Sequence, residues 1–143
     1  MRLTQRTDLA LRGLIHLALS FPGQASASEM AETLAVSAHH LTKSLQALRH
    51  AGFVESQRGH TGGHRLALRP EAISVGAVVR SLEPPALAEC FRPGGKCVLT
   101  PSCALAAAFR RAANAFYEEL DAVTLADLAT SRTRRLLELR SSV

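Results

Sequence analysis

The sequence predicts a mainly α protein with a small β wing: a winged helix-turn-helix domain followed by a long C-terminal dimerisation helix. Three observations predict it. Two short helical segments, opening near residues 28 and 38, are separated by a three-residue connection, and the second is amphipathic. A glycine-rich hairpin follows them directly. Further on, Leu105, Phe109, Ala112, Phe116, Leu120 and Val123 step by four, three, four, four and three, close to a heptad stripe.

Each element has its own signal. Residues 4–20 read as a first helix, with Leu11, Leu14, Ile15 and Leu19 at helical spacing and Phe21-Pro22-Gly23 ending it. Ala27-Ser28 opens a second helix with Ser28 as its cap and Met30, Ala31 and Leu34 as its apolar face. Ser37 caps a third helix from Ala38 to about His50 that turns Leu41, Leu45 and Leu48 inward, and Gly52 stands where a left-handed helix end is wanted. Residues 53–55 and 65–68 read as strands around a tip with three glycines in five residues, Gly59, Gly62 and Gly63. After Arg69-Pro70, Ser74 caps a helix carrying Val75, Val78, Val79 and Leu82, which Pro84-Pro85 ends. Residues 86–103 form an irregular loop. The long helix covers about 104–123, Thr124-Leu125-Ala126-Asp127-Leu128 reads as a capped extra turn, and a basic, fraying tail follows.

Composition excludes several classes. The 143 residues are 47% hydrophobic and 20% charged, as in an ordinary folded domain. No run approaches the 18 apolar residues a membrane span needs. Ala25-Ser26-Ala27 resembles a signal-peptidase site. However, Arg12 and His16 interrupt the preceding apolar run at helical spacing, so a cytoplasmic protein is expected. There is no C-x-x-C, no phosphate-cradling loop and no Ser-His-Asp arrangement, so the reading is not an enzyme.

The net charge of +5 and pI of about 9.9 suit a polyanionic partner. Location sharpens this. Residues 38–68 hold Lys43, Arg49, Arg58 and Arg65 against Glu55 alone, with five of the six histidines. The tail adds Arg132, Arg134, Arg135 and Arg140 against Glu138. In a helix-turn-helix the N-terminal end of the second helix enters the major groove. Ser37, His39, His40, Lys43 and Ser44 lie at or near that end, where Lys43 can reach a guanine edge or a phosphate. Arg58, His60 and Arg65 flank the wing tip, and arginine there suits the negative potential of a narrow minor groove. A solvated helix face is the plain alternative for the helix, against which the basic wing beside it counts; an ordinary surface hairpin accounts for the wing's glycines but not for its charge. The expected partner is double-stranded DNA.

Cys90, Cys97 and Cys103 fall within fourteen residues, an odd count that makes a poor disulfide framework. Three soft thiolates on a loop with Gly94 and Gly95 suit an iron–sulfur cluster or zinc, and Cys103 stands at a helix N-terminus that favours a thiolate. The spacings are wider than most zinc knuckles, which favours a larger group. Redox thiols and small buried hydrophobes are the alternatives. Three ligands are one short of four, so the fourth comes from elsewhere in the chain, a second chain or a small molecule.

Taken together, Arg2-Leu3-Thr4, Thr7-Asp8, Leu11-Arg12, Val36-Ser37, His40-Leu41, Gly52-Phe53-Val54, Arg58-Gly59, Gly62-Gly63, Arg65-Leu66, Val78-Val79-Arg80, Leu82-Glu83 and the three cysteines resemble the winged-helix iron–sulfur transcription regulators of the IscR, RirA and NsrR type. Leu82-Glu83-Pro84, Glu89-Cys90, Cys97-x-Leu-Thr-Pro-x-Cys103 and Thr124-Leu125-Ala126-Asp127-Leu128 are most similar to the nitric-oxide-sensing repressors among them. The resemblance covers residues 1 to about 130. It implies a homodimer on a palindromic operator, repression controlled by nitric oxide, and a cluster held by Cys90, Cys97 and Cys103. It further implies a [4Fe-4S] type, with [2Fe-2S] as the alternative, and Asp8 of the other subunit as a fourth ligand. No histidine follows Cys90, which argues against ligation by a His after the third cysteine. Iron- or cluster-status regulation and a zinc-stabilised constitutive DNA-binding module are the alternatives. The expected organisation is 1–82 DNA-binding domain, 83–103 cluster-binding loop, 104–130 dimerisation helix and 131–143 basic flexible tail.

Overall fold

The computed structural model describes residues 3–57, 59, 62–83, 88–99 and 102–141. The order is α1 (Gln5–Leu19), α2 (Ala27–Leu34), α3 (Ala38–His50), β1 (Val54–Gln57), β2 (Gly63–Leu66), a 3-10 turn at Pro70–Ala72 and α4 (Val75–Leu82). A second 3-10 turn (Glu89–Phe91), α5 (Ala104–Asp121), α6 (Leu125–Leu128) and α7 (Ser131–Ser141) follow. Helices α1 to α3 enclose a core in which Leu14, Leu17, Met30, Leu41, Leu45 and Leu48 are fully buried. Val54 and Leu66 from the hairpin, Ile73 and Val78 from the α4 region, and Leu125 of α6 close it.

The first helix buries Leu14 and Leu19 as expected and packs the half-exposed Leu11 against the core, but small residues make up much of its buried face. Thr4 caps it, and Thr7, Leu9, Ala10, Gly13, Leu14 and Leu17 are buried, whereas Leu11 and Ile15 are half-exposed. Small residues at 10 and 13 bring α1 close to α3, with Gly13 facing Leu41 and Leu45. The cap of α2 is Ser26, not Ser28, which lies inside the helix. Ser26 and Glu29 satisfy each other reciprocally: the Ser26 N–H donates to Glu29 Oε2 at 2.7 Å, and the Glu29 N–H donates to Ser26 Oγ at 3.2 Å. Ser37 caps α3 as expected, and Gly52 takes φ 83 just beyond its end.

The strands lie nearer the tip than the apolar residues imply, paired antiparallel with Glu55 opposite Arg65 and Ser56 opposite His64. Ala25 pairs with His64 through two backbone hydrogen bonds, 3.0 and 2.8 Å, fastening the hairpin to the chain just before α2. A Cβ at Gly63 would lie 3.0 Å from the Ala25 carbonyl oxygen, so glycine permits this approach. Ser74 caps α4, which ends at Leu82; Pro84 and Pro85 lie outside the described residues. Helix α5 stops at Asp121, and Val123 instead accepts a hydrogen bond from the Val75 N–H at 2.9 Å. Thr124 and Asp127 form a second reciprocal cap on α6, the extra turn read in the sequence.

The tail from residue 131 is not flexible coil. It forms α7 and packs on α2, and Arg134 Nη2 donates to the Leu19 carbonyl at the end of α1 at 2.6 Å. Arginine and leucine are good helix formers, and Thr130 supplies an acceptor for the Thr133 N–H. The docking partner is more than a hundred residues away, out of reach of local pattern.

Candidate nucleic-acid interface and cysteine loop

The first turns of α3 present a compact polar surface. Ser37 Oγ accepts from the His40 N–H, fixing the helix start. His39, His40 and Lys43 are exposed, with the two imidazoles 5.7 Å apart and tilted. Ser44 does not join them. It is fully buried, and its hydroxyl donates to the His40 carbonyl at 3.1 Å. The expectation that Ser44 contacts nucleic acid is therefore corrected: position 44 shares the inward face of Leu41, Leu45 and Leu48.

A crevice of about 140 Å³ separates His40 and Lys43 from Gln5, Arg6 and Leu9 of α1. Gln5 and Arg6 thus border this polar surface, a placement no local motif signals. Arg6 is anchored by its Nη2, which donates to the Leu82 carbonyl at 2.7 Å. Beside it, Glu83 Oε1 accepts from the Thr4 N–H at 2.7 Å and from Thr4 Oγ1 at 2.8 Å. Partial burial pushes the Glu83 carboxyl up, but hydrogen bonds from Thr7 and Thr4 and the nearby Arg6 cation outweigh it and hold it below the usual carboxylate range. The chain leading into the cysteine loop is thereby fastened to the start of α1.

On the wing, Arg65 is exposed, but Glu55 offsets its charge across the strands at 2.8 Å. Ser56 Oγ lies 3.0 Å from His64 Nδ1. Burial first, then the Arg49 cation, keep the His64 imidazole more acidic than usual. Arg58 and His60 lie outside the described residues.

All three cysteines are half-buried, and Cys103 occupies the N-cap of α5. As a donor set they match a thiolate-bound metal or cluster in kind. Among the described residues, however, no three metal-ligating side chains converge, so the single chain presents no preassembled cage. Asp8 is held by Arg12 one turn along α1, Oδ2 to Nη2 at 2.8 Å, and both side chains are about half exposed. The structure thus brings Ser37, His39, His40 and Lys43 to one surface and leaves Cys90, Cys97 and Cys103 unassembled.

A model of the Rrf2 family, described as iron-dependent transcriptional regulator, matches residues 3–131. The chain belongs to the Rrf2 family. The HTH-type transcriptional regulator NsrR of Geobacillus kaustophilus (strain HTA426) is 45% identical over 145 residues, covering 98% of this chain and 99% of that protein. Among solved structures, CymR (YrzC), the global cysteine regulator of B. subtilis, superposes with TM-score 0.74 at 31% identity, covering 90% of this chain and 96% of that one. IscR of T. potens gives 0.72 at 29%, covering 90% and 85%. This Rrf2-family chain is a transcriptional regulator with the winged-helix fold expected from its sequence. Among its described residues no helix is long and apolar enough to cross a membrane.

Proposed function

We propose that this chain is a cytoplasmic, homodimeric repressor of transcription that binds a palindromic operator with an affinity set by a cysteine-held iron–sulfur cluster that reacts with nitric oxide. Each subunit reads one half-site, His39, His40 and Lys43 meeting the major groove and the wing, with Arg58, His60 and Arg65, the adjacent minor groove. Cys90, Cys97 and Cys103 hold the cluster, most simply [4Fe-4S], with Asp8 of the second copy as fourth ligand. When bound, the cluster supplies iron that takes thiolate ligands and is open to attack by nitric oxide.

One observation carries the reading. The cysteine loop is tied at both ends to elements that position α3. Glu83 at its start accepts from Thr4, the capping residue of α1, which packs on α3, and Cys103 at its end stands at the N-cap position of α5, which packs on α4. Ordering or releasing this loop acts on the reading head through both ties. A hundredfold change in operator affinity needs only about 2.7 kcal/mol of difference between two states, within the usual range of coupling energies.

The test uses protein purified without oxygen and supplied with iron and sulfide. Visible absorption reports cluster uptake, and fluorescence anisotropy follows binding to an operator selected from a random double-stranded pool. Nitric oxide is expected to weaken binding about a hundredfold as the absorption collapses. Asp8→Ala is expected to leave folding intact and shorten the lifetime of the absorbing species. Unchanged affinity during that collapse overturns nitric oxide control. Colourless protein carrying zinc overturns the cluster, and loss of binding to a chelator alone favours an iron-status regulator.

A further inference from the structure

The reading head meets the long helix at a joint where Arg80, Gly76, Tyr117 and Asp121 meet and a short backbone bridge lies beside them. Arg80 on α4 directs a two-pronged bond at Asp121 on the last turn of α5, Nη1 to Oδ1 at 2.6 Å and Nη2 to Oδ2 at 2.5 Å. Its guanidinium carbon lies 4.6 Å from the ring centre of Tyr117, one turn earlier on α5. One turn before Arg80, Gly76 lets the two helices touch: a Cβ there would collide with Asp121 Oδ1 and lie 2.9 Å from the Asp121 backbone nitrogen. Beyond the helix ends, Ser74 and Thr124 form an antiparallel bridge, and the Leu125 N–H donates to the Ile73 carbonyl at 3.0 Å.

The fork is exposed, with 45% and 40% of the two side chains open to solvent, and ion pairs in such positions add little stability. What it supplies is direction. A planar guanidinium bonded through two nitrogens and stacked on a ring has one favoured orientation, which a single point charge lacks.

We propose that Arg80, Asp121 and Tyr117, closed over Gly76, fix the angle at which α5 leaves the reading head and thereby determine which separation of operator half-sites the regulator accepts. The inference rests on the dimeric reading above, in which α5 carries the contact between subunits. The geometry gives leverage. The 18 residues of α5 span roughly 27 Å at 1.5 Å each, so a tilt of about 10° at the joint moves the far end by roughly 5 Å. One base-pair step is about 3.4 Å, so a tilt of that size misplaces the second reading head by more than a step.

The experiment measures binding of the full chain to the selected operator and to versions with the half-site separation changed by one or two base pairs. A single half-site and the mass of the complex serve as references. Wild type is expected to lose tenfold or more for one base pair of change. Arg80→Ala and Asp121→Ala are expected to shrink that discrimination to threefold or less. Arg80→Lys, which keeps the charge and removes the fork, behaves like Arg80→Ala. Gly76→Ala, which wedges the helices apart, moves the preferred separation. Retention of wild-type discrimination within twofold by both Arg80→Lys and Asp121→Ala overturns the inference while leaving the dimeric reading in place. Wild type that binds one half-site as tightly as two overturns both.

Discussion

Lys43 and Ser44 are adjacent, both were expected to contact nucleic acid, and the structure assigns them opposite fates. Lys43 is exposed at the head of α3, whereas Ser44 is fully buried and bonded to the His40 carbonyl. If Lys43 neutralises one phosphate, Lys43→Ala removes about 0.9 from the slope of log affinity against log salt. The deficit of the variant relative to wild type then grows about 3.5-fold between 200 and 50 mM salt. Ser44→Ala deletes a hydroxyl that bonds back within its own helix. The lost bond is worth about 1 kcal/mol net and is partly returned by the higher helix propensity of alanine. Its operator affinity and salt slope are expected to match wild type, with a thermal midpoint lowered by no more than about 4 °C. Anisotropy titrations at four salt concentrations decide the matter. A wild-type slope in Lys43→Ala, or a more than threefold loss of operator affinity in folded Ser44→Ala, refutes the assignment of the two faces.

Leu45→Ala empties a fully buried site between α1 and α3 and is expected to cost about 3 kcal/mol, read as a lower urea midpoint at unchanged slope. Gly63→Ala sets a methyl 3.0 Å from the Ala25 carbonyl oxygen, so the two hydrogen bonds joining Ala25 to His64 lengthen; amide exchange at both residues accelerates, with about 1 kcal/mol of stability lost. Burial lowers the His16 pKa from its ordinary 6.5, opposed in part by Glu29, so the unfolded chain takes up a proton at higher pH than the folded one. The resulting loss of stability is absent above about pH 6.5 and grows as pH falls below it. His16→Leu is expected to flatten the decline in urea midpoint between pH 7.5 and 5.5, and an equal decline in both proteins counts against it. His64, lowered by burial and by Arg49, accounts for the slope that remains.

Features carried by neighbouring residues were legible in the sequence. Ser37, Gly52, Ser74 and the Thr124–Asp127 pair act within one turn of the element they bound, and each does so in the structure. Ser44 is legible too, from its spacing and against its polarity. Positions 41, 44, 45 and 48 share one helical face, so periodicity places Ser44 inward, but its polarity suggested the surface. On α1 the large residues are only part of the signal: Leu14 and Leu19 are buried, and so are Ala10 and Gly13, whose size permits close packing. The cap of α2 turned on Glu29, whose side chain answers Ser26 and not Ser28. Contacts such as Ala25 with His64, Arg134 with Leu19 and Glu83 with Thr4 join distant segments, and no local signal encodes them.

Large apolar residues are exposed at Phe21, Leu68, Leu136 and Leu139 too, but one run of them adjoins the thiols. Val98, Leu99, Leu105 and Phe109 are exposed at 90, 65, 59 and 37%, and they follow one another through the cysteine loop into α5. Ala106 is the one buried residue on that helix, although its apolar stripe is continuous. The thiols of Cys90, Cys97 and Cys103 belong to the same stretch and do not converge. By contrast the flanks are firmly held, by Thr4 and Arg6 at Leu82 and Glu83 and by α4 at the far end of α5. Unburied apolar area and unassembled donors, set between rigid anchors, are two deficits that one association can relieve. In the proposed dimer, a second copy covering the stripe would restrict the loop, and a restricted loop would lose less entropy if its thiolates gathered on a metal. Under the proposed function, subunit association and cluster binding therefore favour each other, and the anchored ends carry either change to α3.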